Sequence, residues 1–498
     1  MSERVRARRH HRSAQSSGWA VSPETCALFI PIVLAVILMP LGMGGRHPLG
    51  QLFLSAAAIA AAGTWLVRSY HTNDAGWQFS VLDLLFAAGL AVAVIQVIPI
   101  SAALIKSISP HLSTLLPCWT DGPWTLGQWN TISLAPGETF VGIGIFVAQR
   151  ILVGCIFQTI QSNQDIERIL LVVAVATGLM AALGVVQYLT SNGNYLWFYE
   201  PAFNDTRSIV TGTFGCRNHY ASFLAIGAGS LIWWTFKPEQ TKRDSRTTSQ
   251  LSSRGSGRRQ HSSNTPITSG IQVEHRLAIG LVALGITTFA VLLSLSRGGT
   301  MSLAAVGLVT TGMLLKTGRI TPKVAGGLLG VFLLIGSALT IHGMDRVNAR
   351  LDTIWTELGA IFSDTDDANL AGRREVWQAA VETITDFPVL GTGIGSHAAF
   401  SKAYMPPTDK LIFTHAENSY LNLGVETGLV GIGIAITALI VGFVCCVVVF
   451  LKGTSQEQVM AIALTSGLTA GTVHAATDFI WYVPACSTLM MLLGACAV

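Results

Sequence analysis

Long uninterrupted apolar runs constrain this chain more than any other feature. A helix needs about 20 mostly apolar residues to cross a hydrocarbon core of about 30 Å. Twelve such runs lie near 26–44, 51–67, 79–104, 138–158, 168–190, 218–236, 277–295, 300–316, 324–342, 428–450, 458–476 and 480–497. Half of the 498 residues are hydrophobic and only 12% are charged. Soluble domains carry about 25% charged residues, so the balance is that of a polytopic membrane protein. The expected fold is all-α, with about 12 transmembrane helices.

Charge placement orients the spans. Arg4, Arg6, Arg8, Arg9 and Arg12 precede the first run, and no small-residue cleavage site follows. Lys/Arg-rich flanks stay in the cytoplasm. Counting inward and outward from there puts the 237–276 loop in the cytoplasm, where Lys237, Lys242, Arg243, Arg246, Arg254, Arg258, Arg259 and Arg276 lie. The 317–323 turn, with Lys316, Arg319 and Lys323, falls on the same side. Both termini are then cytoplasmic. The domain plan is a basic tail (1–25), a first membrane half (26–236), a disordered basic loop (237–276) and a second membrane half (277–498). The second half includes a large, partly helical outer segment (343–419). The Ser/Thr/Arg-rich loop has too few large apolar residues to offset the entropy of ordering. Its charge, and the net +4 of the chain, suit lipid headgroups and topology rather than nucleic acid.

The eight cysteines show no metal-ligand spacing. Cys26, Cys155, Cys445, Cys446, Cys486 and Cys496 read as small apolar residues, whereas Cys118 and Cys216 share the outer side, where a disulfide is open to them. Trp119, Trp124 and Trp129 suit an interfacial belt or, alternatively, a sugar-stacking platform. "AGRREVWQAAVETITDFP" predicts an amphipathic helix with Val376, Trp377, Ala380, Val381 and Ile384 on one stripe, Pro388 ending it, and Arg373 and Arg374 in its first turn. "GTGIGS" at 391–396 lacks the strand-to-helix setting of a nucleotide loop. Asp364, Asp366 and Asp367 read as a solvated loop, with a divalent cation the less common alternative.

Four polar motifs interrupt the apolar pattern, all on the outer side. Arg217, Asn218 and His219 open the sixth span, and Ser296 and Arg297 turn between the seventh and eighth. His415, Glu417 and Asn418 precede the tenth, and His474 and Asp478 precede the twelfth. Spans six, eight, ten and twelve run inward, so their outer ends are helix N-termini, which attract anions. Arginine stays protonated and matches phosphate oxygens. Histidine can accept a proton near neutral pH. Arginines beside a base fit transfer of a group from a phosphate leaving group to a hydroxyl.

In order, "GTFGCRNHYASFL", "LSLSRGG", "GRREVWQAA", "FPVLGTGIGSHAAF", "HAENSYLNLGVETGLVGIG" and "HAATDFIWYVPA" resemble the bacterial O-antigen ligase and Wzy-type polysaccharide polymerase family, over roughly residues 138–490. The resemblance implies a GT-C-like glycosyltransferase of the bacterial inner membrane with a periplasmic active site. It would transfer a glycan from undecaprenyl pyrophosphate to an acceptor hydroxyl, with inversion and with neither metal nor cofactor. Arg217, Arg297 and Arg373 or Arg374 would bind pyrophosphate, with Asn218, His219, Ser296, Asn418, His474 and Asp478 in support. His415 would be the base. Many family members carry histidine immediately before the asparagine, where this chain has Glu417, so Glu417 is the alternative base. The acceptor, whether glycan, lipid A core or protein, is left open. A lipid-glycan flippase is the rival reading, and Arg150 inside the fourth span is the feature that leans towards it.

Overall fold

The computed structural model describes residues 29–72, 76–112, 130–200, 207, 209–238, 267–342, 368–405 and 413–498. The basic tail, Cys118, the three tryptophans at 119, 124 and 129, the acidic 364–367 stretch and residues 239–266 of the basic loop lie outside them; residues 267–276, expected as part of a disordered loop, are helical instead.

The described residues form helices and no sheet. Thirteen helices matter here. They are α1 (Phe29–Leu41), α2 (Pro48–Thr72), α3 (Val81–Val97), α4 (Pro136–Thr159), α5 (Asn163–Leu189), α6 (Arg217–Phe236), α7 (Ile267–Leu293), α8 (Arg297–Lys316), α9 (Pro322–His342), α10 (Ala368–Asp386), α11 (Ser419–Lys452), α12 (Ser455–Ala475) and α13 (Pro484–Ala497). Each of the twelve apolar runs falls on one of these. Six helices (α2, α4, α5, α7, α8 and α11) are long and apolar enough to cross a membrane, and α1, α3, α9 and α13 supply shorter apolar stretches.

The other two that carry apolar runs, α6 and α12, form the interior. Most residues of both are buried, so both are packed mainly against protein. They approach closely because glycine faces backbone. A Cβ at Gly229 would lie 2.2 Å from the Ala463 carbonyl, and one at Gly467 would lie 2.8 Å from the Ile226 carbonyl. Small residues at such crossings let helices pack without the hydrophobic effect that water would supply. Side-chain hydrogen bonds tie the surrounding helices in. Tyr220 Oη donates to the Met180 carbonyl at 3.1 Å, Thr310 Oγ1 meets Ser466 Oγ at 2.7 Å, and Gln149 donates to Ser487 at 2.8 Å.

Polar groups gather at the two ends of the bundle. At one end Glu167 accepts from Lys237 and from Gln456, each at 2.6 Å, and Arg319 donates to the Ser455 carbonyl at 2.9 Å. Arg150 pairs with Asp83 and lies over the rings of Trp77 and Phe86. It is therefore a paired cation held among aromatics, not an isolated charge in a pathway. The other end carries all four polar motifs.

α10 covers that end. It begins at Ala368, earlier than the sequence pattern indicated, so Arg373 sits beyond the first turn and feels less of the helix dipole. Val376 and Ala380 pack on Ala416 and Val425, with Trp377 and Ile384 alongside. Val381 is a correction to the expected stripe, being 50% exposed. Buried Ala379 and Thr383 show that the buried face is centred one residue earlier.

The segment after α10 is laced to α11 by main-chain bonds: Thr392 to the Val425 carbonyl, Gly393 to Glu426 and Leu429 to Pro388, at 2.8–3.0 Å. Gln96 of α3 donates from Nε2 to the Leu390 and Glu426 carbonyls, both at 2.7 Å. "GTGIGS" is thus a docked turn with no strand before it. Gly428 breaks α11 with φ +64° and ψ −165°. A Cβ there would meet the Val389 carbonyl at 2.4 Å. The break leaves a short helix before the apolar stretch that the sequence places at 428–450. Gly428→Ala should lower stability by ~1–3 kcal/mol through backbone strain and the clash, read as a drop in the unfolding temperature of the detergent-solubilised chain.

Candidate functional site

The polar end of the bundle contains a cleft lined by Arg217, Asn218, Arg297, Gly298, Arg373 and Thr477. These residues come from the starts of α6 and α8, from α10 and from the turn after α12. It is a small, partly open cleft with a volume of ≈ 30 Å³.

Local structure explains each contribution. Arg217 is the first residue of α6 and Arg297 the first of α8. Ser296 caps α8, its Oγ accepting from the Gly299 amide at 3.2 Å, as short polar side chains do at helix starts. Gly298 is required by proximity, because a Cβ would lie 2.2 Å from Thr477 Oγ1 and 2.9 Å from His474 Nε2. This contact brings the start of α8 against the end of α12. Arg373 reaches the cleft and pairs with Glu417 at 3.3 Å, whereas Arg374 is exposed and does not line it.

Asn418 caps α11, accepting from the Tyr420 and Leu421 amides at 3.0 and 3.2 Å and donating to the Ala476 carbonyl at 2.9 Å. Ser419 donates to the Asp478 carbonyl at 2.7 Å. The segment bearing His415 and Glu417 is therefore strapped to the turn bearing Thr477 and Asp478. Glu417 itself has φ +52°, a left-handed backbone that few non-glycine residues adopt. Burial, then the nearby Asp478 charge, raises its carboxyl pKa, and Arg373 opposes both.

His415 lies flat on the Phe479 ring, with centroids 4.0 Å apart and planes 4° from parallel. Its Nδ1 is 3.0 Å from Thr414 Oγ1. Burial first, then Arg46, His397 and His219, lowers its pKa to about 3, so the ring is neutral at physiological pH. His219 meets the same Phe479 edge-on at 4.9 Å and lies 3.7 Å from Asp478. Burial alone would raise the Asp478 pKa, but His219, His474 and the Phe479 amide outweigh it and bring it to about 2. His474 is fully buried in the last turn of α12, ahead of the turn that carries Asp478.

The structure thus joins residues the sequence scatters, in two adjoining parts. Arg217, Asn218, Arg297 and Arg373 form the basic part. His415, His219, Asp478 and Glu417 form the part around Phe479. Sequence reasoning missed Arg46, whose guanidinium lies 5.3 Å over Phe479, and buried His397. The basic pair in "GGRHPLG", between the first two apolar runs, was the available signal for Arg46. Cys118 lies outside the described residues, and Cys216 is a free thiol. Its Sγ joins ligand atoms of His219 and Asp478 in a group within 4.8 Å, a triad that no sequence spacing revealed.

The depressed histidines make stability depend on pH. Unfolded histidine titrates near about 6.5, whereas His415 and His397 titrate at about 3 and about 4 in the fold. Below about pH 6.5 the unfolded chain binds more protons, so stability is greatest above that value and is lost as pH falls. The unfolding temperature should drop between about pH 7 and about pH 5, and His415→Gln should make that drop shallower.

Residues 282–436 match the family model described as O-Antigen ligase, and a comparison with curated proteins finds no match. The matched stretch runs from α7 through the first half of α11 and contains Arg297, Arg373, His415 and Glu417. This part of the membrane protein is therefore similar to the O-antigen ligase family.

Proposed function

We propose that the protein transfers a glycan from undecaprenyl pyrophosphate to an acceptor hydroxyl at the periplasmic face of the bacterial inner membrane. On this reading the bundle crosses the bilayer about twelve times, with both termini in the cytoplasm. The single observation that carries the reading is the cleft itself, where Arg217, Arg297 and Arg373 converge from three separate helices. Two of them start helices whose positive ends favour an anion. Guanidinium forks match the oxygens of a pyrophosphate. Charge that develops on the leaving phosphate as the glycosidic bond breaks is stabilised there. The glycan lies outside the small cleft, towards His415.

His415 is the base. No described residue hydrogen-bonds its Nε2, and the ring is neutral and ready to accept the acceptor's hydroxyl proton. A pyrophosphate bound beside it adds negative charge, which favours the protonated ring and brings its pKa towards the working range. Glu417 is occupied with Arg373 and serves to hold that cation. The acceptor attacks the face opposite the leaving phosphate, so the anomeric centre inverts. These steps call on no metal or cofactor. The flippase reading loses its one supporting feature, because Arg150 is paired with Asp83.

The test is reconstitution of the full chain with an undecaprenyl-pyrophosphate glycan and a panel of acceptors: glycan, lipid A core and protein. Arg297→Ala should slow transfer by ~10²–10³-fold and His415→Ala by ~10²–10⁴-fold, with membrane insertion unchanged. Glu417→Gln should weaken donor binding more than turnover. Unchanged product from both Arg297→Ala and His415→Ala would refute the proposal, and equal loss from Glu417→Gln and His415→Ala would move the base to Glu417.

A further inference from the structure

We propose that Cys216, His219 and Asp478 bind a divalent transition metal of the zinc type at the joined outer ends of α6 and α12. The sulfur, imidazole and carboxylate atoms already lie within 4.8 Å of one another. Zinc takes this mixture of donors, and three protein ligands leave a fourth position for water.

Polar groups left without partners are the independent indication. His219 and Asp478 are 2% and 1% exposed. Asp478 Oδ1 accepts from the Phe479 amide at 2.7 Å, but Oδ2 has no hydrogen-bond partner, and neither has His219 Nε2. The 3.7 Å between His219 Nε2 and Asp478 Oδ1 is too long for a hydrogen bond. Buried polar atoms are paired in nearly all native structures, and exceptions call for a water or an ion. Both nitrogens of neighbouring His474 are unpaired as well.

Charge favours a cation over water. Asp478 is a buried acid with one oxygen left unpaired, and Cys216 is a free thiol beside it. Metal binding exchanges the thiol proton for the ion: Cys–SH + M²⁺ gives Cys–S⁻–M²⁺ and H⁺. Thiolate and carboxylate then neutralise the two positive charges, leaving a buried site with no net charge.

The position gives the ion a structural task. Cys216 is the cap of α6 and His219 its third residue, with Arg217 between them. Asp478 belongs to the turn after α12. The ion would staple the first turn of α6 to that turn and fix the backbone from which Arg217 reaches the cleft. It takes no part in bond breaking, so the inference stands whether or not the glycan-transfer reading does.

The experiment uses the full chain in detergent, stripped with chelator and reloaded with Zn²⁺ or Co²⁺. One zinc per chain should be retained after desalting, and Co²⁺ should give a thiolate-to-cobalt absorption band. Cys216→Ala should abolish the band and weaken zinc binding by more than the ~10–100-fold expected from loss of a merely supporting partner. Asp478→Asn should weaken zinc binding similarly, and His415→Ala should retain the ion. The cobalt spectrum of the unsubstituted chain needs no variant to fold. Absence of the thiolate band, undiminished zinc in Cys216→Ala, or Cys216 found in a disulfide by mass spectrometry would each overturn the proposal.

Discussion

The close crossing of α6 and α12 sets the position of everything else. With glycine against backbone at Gly229 and Gly467, the two interior helices run side by side from one polar end to the other. The start of α6 and the end of α12 are consequently neighbours. α8 joins them through Gly298, pressed against Thr477 and His474. Two arginines therefore arrive at one cleft from backbone positions that cannot drift apart without unpacking the bundle. Close packing transmits position in this way because interiors have few voids to absorb a shift.

A second constraint holds the cover in place. Gln96 and the main-chain bonds around Gly428 fasten the segment after α10 onto α11, while Asn418 and Ser419 strap the start of α11 to the Ala476–Asp478 turn. Arg373 and His415 thus sit on a short, well-bonded frame rather than on a free loop. Phe479 joins the two parts by presenting its ring to His415, His219 and Arg46.

Much of this was legible in the sequence because membrane depth makes it so. Apolar runs of spanning length mark helices directly, and arginines or histidines at their ends stand out against a greasy background, as Arg217, Arg297 and His415 do. The family match over 282–436 takes in four of the six quoted motifs. What could not be read were contacts set by three-dimensional packing. Val381 obeys helical periodicity yet faces outward, because the groove beneath α10 is centred on Val376 and Ala380. Cys216 and Asp478 lie far apart along the chain, so their meeting leaves no spacing to detect. Arg46 was overlooked because an arginine beside a span reads as a simple anchor.

The ion pair between Arg373 and Glu417 has a consequence for what the cleft selects. Three guanidinium groups face one carboxylate there, so the excess corresponds to two positive charges rather than three. A guest bearing two negative charges would leave the pocket electrically balanced, whereas a monoanion would leave a lone cation in a partly dry setting. On the proposed reading, the resting arrangement would grade ligands by valence before any sugar is inspected.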